Sequence, residues 1–212
     1  LPAKGDGQLL FMLNGLAKLK DDGQMAIIQN GSSLFNGDAG SGPSEIRRYL
    51  IENDWLDAIV QLPNNAFYNT GIATYIWLVM KNKPVTHQGK VQLIDASNCA
   101  SSRRKNIGLK NVDITKACRD LIVKAYGAYV DETYKGIEEN GNAIIVKSKV
   151  MDSVDLGYNK IVVETPQFDE NGNVMMKKNK LMVDTSKRDT ENVPLAEDID
   201  AYFEREVIPY NP

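Results

Sequence analysis

Apolar residues in the first part of the chain follow two rhythms, one that winds and one that extends. Leu9, Leu13 and Leu16, with Met12, Leu16 and Leu19, recur at helical spacing, and Asp6 is placed to cap the start of that helix. Lys18 and Lys20 suit its C-terminal end, and Asp21–Gly23 stops it. "QMAIIQN" then reads as a buried strand. A glycine-rich loop follows, and Pro43 fits the first turn of a second helix whose inner face is Ile46, Tyr49 and Leu50. Arg47 and Arg48 lie largely off that face, and Asn53–Asp54 ends the helix. "LDAIVQL" (Leu56–Leu62), "IATYIWLVMKN" and "KVQLIDA" (Lys90–Ala96) predict three more strands, with "PNNAFYNTG" as the loop between the first two. Continuous apolar strands joined through helices predict a parallel sheet covered on both faces. No helix separates the Leu56–Leu62 strand from the next, so that pair is open to an antiparallel arrangement. The chain has no early strand–glycine–helix unit, and the pattern reads as the second half of a nucleotide-binding sheet.

The rhythm changes after Ala96. "SSRRKN" reads as a basic loop, and "DITKACRDLIVKAY" as an amphipathic helix with Ile114, Ala117, Leu121 and Ala125 on one face and Asp113 as its cap. "NAIIVKSK" and "NKIVVETP" predict strands. Asn171–Gly172 within "FDENGNVMMKKNKLMV" is a hairpin signal, and "AEDIDAYFEREVIPY" predicts an acidic helix with Ile199, Tyr202 and Phe203 on one side. These changes place a boundary near residue 97. Residues 1–97 form an α/β segment, and residues 98–212 an α+β extension of helices and a hairpin.

Composition narrows the chemistry. The 212 residues are 42% hydrophobic and 25% charged, which suffices for a sizeable core. A net charge of −3 means that any contact with nucleic acid runs through a local patch or with a partner's help. Two cysteines, Cys99 and Cys118, and one histidine, His87, provide neither a zinc-ligand spacing nor a local Ser–His or Cys–His pair. The cysteines read as buried and reduced, and His87 as a surface loop residue. No apolar run approaches the roughly 20 residues of a membrane span, and no signal peptide is visible. A start at Leu1 and an end at "VIPYNP" read as a piece of a longer, cytoplasmic protein.

Two loops carry candidate chemistry. The first contains Gly37, Gly40 and Gly42 in the order G-x-x-G-x-G and then Pro43. A dinucleotide fingerprint needs G-x-G-x-x-G, a P-loop ends in G-K-[ST], and Pro43 removes an amide donor. The loop is therefore expected to be a mobile connection rather than an anion cradle. In open α/β sheets ligands sit at the carboxyl ends of the strands. If "QMAIIQN" and "LDAIVQL" run parallel, the first loop and the second, Pro63–Gly71, rim one cleft. The second sets Phe67 and Tyr68 among Asn64, Asn65, Asn69 and Thr70. An aromatic between amide side chains suits stacking on a base; equally, Phe67 can plug the protein's own core. Arg103–Arg104–Lys105 could contact phosphates or form a solvated loop, and Glu197–Glu206 reads as a solvated helix face.

The order of these segments resembles a known family. "GDGQLLFMLNGLAKLKDDGQMAIIQNGSSLF", "EIRRYLIENDWLDAIVQLPNNAFYNTGIATYIWLVMKNK" and "VQLIDAS" closely resemble the modification (M) subunit of type I restriction–modification systems, densely from Lys4 to about Ser97. "DLGYNKIVVETP" and "IDAYFEREVIPY" resemble the later part of such subunits more loosely. The resemblance implies the second half of a Rossmann-like, S-adenosylmethionine-dependent DNA adenine-N6 methyltransferase fold. It also implies DNA, a specificity subunit and a restriction (motor/endonuclease) subunit as partners. The family's cofactor-binding glycine motif and its catalytic Asn-Pro-Pro-Phe or -Tyr motif are absent from this sequence, and Asn14–Gly15–Leu16 stands where His-Gly-Leu is frequent. No catalytic residue is therefore assigned here. By the same resemblance Phe67 stacks on a flipped target adenine, Gly71 allows close approach, and Asn69 and Thr70 are neighbouring contacts. A non-catalytic α/β binding or assembly module is the alternative.

Overall fold

The computed structural model describes residues 7–138 and 141–210, so the expected cap at Asp6 lies outside the described residues. The chain divides into two compact units, Leu1–Ser153 and Val154–Pro212. The change of character near residue 97 falls inside the first.

The first unit opens with helix α1 (Gly7–Lys18), strand β1 (Gln24–Asn30), a one-turn helix α2 (Ser32–Phe35) and helix α3 (Gly42–Glu52). Strands β2 (Leu56–Gln61), β3 (Thr74–Met80) and β4 (Lys90–Asp95) follow. A hairpin of β5 (Ser101–Ile107) and β6 (Lys110–Asp113), helix α4 (Lys116–Ala128), and strands β7 (Glu132–Ile137) and β8 (Ala143–Asp152) complete it. The helices form where the apolar spacing predicts. Leu9, Met12 and Leu16 of α1, and Ile46 and Leu50 of α3, are buried on single faces. Pro43 sits in the first turn of α3, and Asn53 follows its end. At α4 the cap is Thr115, not Asp113: the Thr115 side chain accepts from the Cys118 amide at 3.3 Å. Asp113 belongs instead to the hairpin, where Arg103 and Lys110 hold it.

Six strands form one sheet in the order β1-β3-β2-β4-β8-β7. The expectation of a parallel sheet is corrected here, because β3 pairs antiparallel with both β1 and β2, and only β2 and β4 pair in parallel. The physical reason is the connection. A loop without a crossover helix sends β3 straight back between β1 and β2, whereas α3 spans from β1 to β2. Since both flank β3 antiparallel, β1 and β2 still run in the same direction. The β4 edge is extended by β8 and β7, both antiparallel to their neighbours. Val60, Ile94, Ile144 and Val146 pack with Cys99, Cys118, Ala125 and Tyr134 in one buried cluster, and α4 contacts β4, β7 and β8. Both cysteines are free and buried, and burial pushes both thiols up.

The second unit is built of short pieces. Strand β9 (Tyr158–Val163) pairs antiparallel with β12 (Asp189–Pro194), and between them β10 (Met176–Lys177) pairs with β11 (Lys180–Leu181). The hairpin turn of β10 and β11 is Lys178–Asn179, both at positive φ. Asn171–Gly172 makes a separate turn, bridged by Phe168 and Val174 and tied by Asp169 to the amides of Asn171 and Asn173. The acidic helix is α5 (Ile199–Tyr202), capped by Asp198, and runs on as one π-turn, Phe203–Val207.

Candidate functional site

Because β1 and β2 point the same way, the loops that leave their carboxyl ends, 31–42 and 63–71, emerge at the same edge of the sheet. The glycine-rich loop is tied down through its carbonyls. Its carbonyls converge on a cation: the Arg47 guanidinium donates to the carbonyls of Ser33 at 3.1 Å, Asn36 at 2.8 Å and Gly37 at 3.4 Å. An anion cradle needs the opposite polarity. Arg47 stands off the inner face of α3, as its place in the sequence predicts, and from there it organises the loop before it.

The second loop places its four predicted residues unequally. Phe67 is partly buried and packs against the margin of the cluster around Val60 and Ile94. Asn69 is exposed, and Thr70, half-buried, forms an isolated bridge with Phe67 that folds the loop tip back on itself. Gly71 lies against Asn65: a side-chain carbon at that position would stand 3.1 Å from the Asn65 amide nitrogen. Tyr68 projects outward at 57% exposure, which makes it, rather than Phe67, the aromatic that the loop presents to solvent.

A partner for this loop was not visible in the sequence. The β5–β6 hairpin docks on it through main-chain bonds, with the Leu109 amide donating to the Tyr68 carbonyl at 2.9 Å and the Asn111 amide to the Asn65 carbonyl at 3.2 Å. Asn65, at φ 57°, completes the joint by donating its side-chain amide to the Leu109 carbonyl at 3.0 Å. Gly108 is required at the hairpin turn. Its φ is +59°, and a Cβ would sit 2.5 Å from the Tyr68 carbonyl oxygen. The Lys110 ammonium lies 5.5 Å from the Tyr68 ring centre. The expected basic loop "SSRRKN" is thus a strand clamped to the candidate site. Its ladder pairs Ser102 with Val112 and Ile107 with Lys110, so Arg103–Asn106 bulge out opposite the single residue Asn111.

The opposite edge of the sheet holds the largest surprise. His87, expected as a surface loop residue, places Nδ1 2.9 Å from Oδ1 of Asp57, a carboxylate with no exposed surface. Tyr126 donates its hydroxyl to Asp57 Oδ2 at 2.7 Å, and the Tyr129 ring stacks on His87 with centroids 3.5 Å apart. Burial, reinforced by the Asp57 charge, pushes both tyrosine hydroxyls up, so they remain donors. Beside them the buried Lys83 ammonium reaches Asp54 Oδ1 at 2.6 Å and the Lys90 carbonyl at 2.7 Å. These partners are far apart in sequence, and no local spacing announces them. Among the described residues no group of His, Cys, Asp and Glu side chains is arranged to hold a metal ion, and no helix is long and apolar enough to cross a membrane.

Comparison with known proteins shows similarity to DNA methylases. The family model described as N-6 DNA Methylase matches residues 1–166. The type I restriction enzyme MjaIX methylase subunit of Methanocaldococcus jannaschii is 32% identical over 109 residues, covering 50% of this chain and 19% of that protein. The MpnII methylase subunit of Mycoplasma pneumoniae is 32% identical over 117 residues, covering 55% of this chain and 20% of that protein. The chain therefore spans about a fifth of the length of these curated relatives. Among solved structures, the type I restriction–modification methyltransferase subunit from Streptococcus thermophilus superposes with a TM-score of 0.58 at 27% identity, covering 74% of this chain and 29% of that one.

Proposed function

We propose, from the premise that the chain belongs to the N-6 DNA methylase family, that it is the C-terminal half of the methyltransferase domain, with its tail, of a type I modification subunit. The full-length protein then transfers the methyl group of S-adenosylmethionine to N6 of adenine in DNA. It works in the cytoplasm with a separate specificity subunit and a restriction subunit. The observation that carries this reading is the family match through residue 166, which spans both carboxyl-edge loops and the docked hairpin. The edge of the sheet is compatible with it: among the described residues β1 pairs on one side only, with β3, and Ile28 and, on α1, Phe11 stand 51% and 69% exposed.

Within this reading the target adenine leaves the duplex and meets the second loop. Phe67 stacks on the base from a position fixed by the core beneath it. Asn69 and Thr70 contact base edges, and Gly71 keeps the backbone close. The glycine-rich loop does not fit S-adenosylmethionine, since its carbonyls are turned onto Arg47. The residues that hold the cofactor and the catalytic amide are assigned to the remainder of the full-length protein.

The test uses the full-length protein with its specificity subunit, duplex DNA and S-adenosylmethionine labelled on the methyl group. Label on adenine N6 is the expected product; none would leave the non-catalytic binding module as the better reading. Phe67→Ala should slow methylation roughly ten-fold or more, the scale of base–aromatic stacking of about 1–3 kcal/mol, with cofactor affinity near normal. Unchanged methylation would reject the stacking role.

A further inference from the structure

The hairpin raises a question that the base-binding loop does not answer. The chain is acidic overall at −3, yet residues 101–113 contain four basic residues, Arg103, Arg104, Lys105 and Lys110, against one acidic residue, Asp113. The structure divides these charges into two sets. Arg103 pairs with Asp113 at 2.5 Å and Lys110 with the same carboxylate at 3.1 Å, so these three stabilise the base of the hairpin. Arg104 and Lys105 lie in the bulge, are exposed, and form no ion pair among the described residues. Within this bulge of four residues opposite one, Arg103 reaches back to Asp113 while Arg104 and Lys105 stay exposed. The hairpin is rigidly registered to the second loop by the Leu109–Tyr68, Asn111–Asn65 and Asn65–Leu109 hydrogen bonds. Two displayed cations therefore stand on the hairpin that is seated on the loop carrying Phe67 and Tyr68.

We propose that the β5 bulge is a phosphate-binding arm, in which Arg104 and Lys105 contact the backbone of duplex DNA next to the base held by loop 63–71. This rests on the proposed DNA-methylating function and adds to it a residue-level anchor. A positive element on an otherwise acidic chain is complementary to a polyanion, and phosphate contacts fix register without reading sequence. An arm joined to the base-binding loop couples the two: gripping the backbone beside the target sets where the flipped base arrives.

The experiment measures the affinity of the full-length protein, in complex with its specificity subunit, for a mixed-sequence duplex over a series of salt concentrations. The double variant Arg104→Gln/Lys105→Gln should bind more weakly, and its plot of log affinity against log salt should be shallower by about 0.9 for each phosphate that the arm no longer neutralises. Lys18→Gln/Lys20→Gln, which removes the same charge near the amino end of β1, should leave the slope unchanged. Thermal unfolding confirms that both variants fold. A wild-type slope in the arm variant overturns the proposal while leaving the function intact. Failure of subunit assembly with an unaltered slope assigns the hairpin to a protein partner and also overturns it. No DNA binding by the unmodified complex overturns the function reading itself, and the arm with it.

Discussion

The two edges of the central sheet handle charge in opposite ways. At the amino edge of β2 the charged groups Asp57 and Lys83 are buried. Asp57 is fully buried and takes hydrogen bonds from His87 and Tyr126, and Lys83 is shared between Asp54 and a carbonyl. At the carboxyl edge Asn69, Tyr68, Arg104 and Lys105 are exposed. Buried charge that has found its partners holds a fold in register and offers nothing to a ligand. Exposed charge on a rigid element costs little to display and is available for binding. The difference assigns the amino edge to architecture and the carboxyl edge to recognition, although the amino edge has the more elaborate hydrogen-bonded network.

The strongest way to break that comparison is to attack the amino edge. Asp57→Ala removes the acceptor for Tyr126 and the partner of His87 at a carboxylate with no exposed surface. Hydrogen bonds to a charged group contribute about 1.5–3 kcal/mol each, and urea unfolding should show their loss directly. Arg104→Gln/Lys105→Gln should shift stability by no more than about 0.5 kcal/mol, as exposed substitutions do. If the two changes destabilise equally, the division between architecture and recognition fails.

The contrast also explains what could be read from the chain. Strands β1, β2, β3 and β4 and helices α1 and α3 are legible because each helix has an apolar period and each strand a short apolar run: "QMAIIQN" is β1 to the residue. Strand β7, "ETYKGI", is not, since it is an edge strand with mostly exposed side chains, and only pairing with β8 makes it a strand. The hairpin is hidden for the same reason: "SSRRKNI" has no apolar face, and its position is set by main-chain bonds to Tyr68 and Asn65 that leave no side-chain pattern. The loop with Phe67, Asn69, Thr70 and Gly71 can be nominated because strand ends mark where ligands bind. Asp57 and His87 cannot be paired, because nothing local links a strand residue to a histidine 30 positions on.

The next effect in size tests whether hairpin and loop behave as one body. Gly108→Ala forces a side chain into a left-handed conformation and against the Tyr68 carbonyl. The conformational penalty is about 1 kcal/mol, and relieving the clash adds to it by displacing the hairpin. Thermal unfolding should show a loss of about 1–3 kcal/mol, and in the full-length complex the salt dependence of DNA binding should move toward that of the arm variant. If Gly108→Ala is accepted without loss, the hairpin is not seated on the loop.

The smallest effect is the most specific, because it concerns a charge that the carboxyl edge keeps for itself. Arg103 beside Asp113 holds its carboxyl below the usual carboxylate range, with Lys110 adding to the effect. A depressed folded-state value means that the interaction contributes fully above the unfolded carboxyl pKa of about 4 and is lost as pH falls through the folded-state value. Since Asp113 is itself 43% exposed, solvent screening limits that contribution to less than about 1 kcal/mol. Hydrogen-exchange protection of the Leu109 and Asn111 amides, the two that dock the hairpin, should therefore decline on acidification below about pH 4. Asp113→Asn should lower that protection at neutral pH and flatten its response to acid. Protection that ignores both pH and the substitution would show that the seat on loop 63–71 alone orders the hairpin, and that the division of its charges into anchoring and displayed sets has no energetic basis.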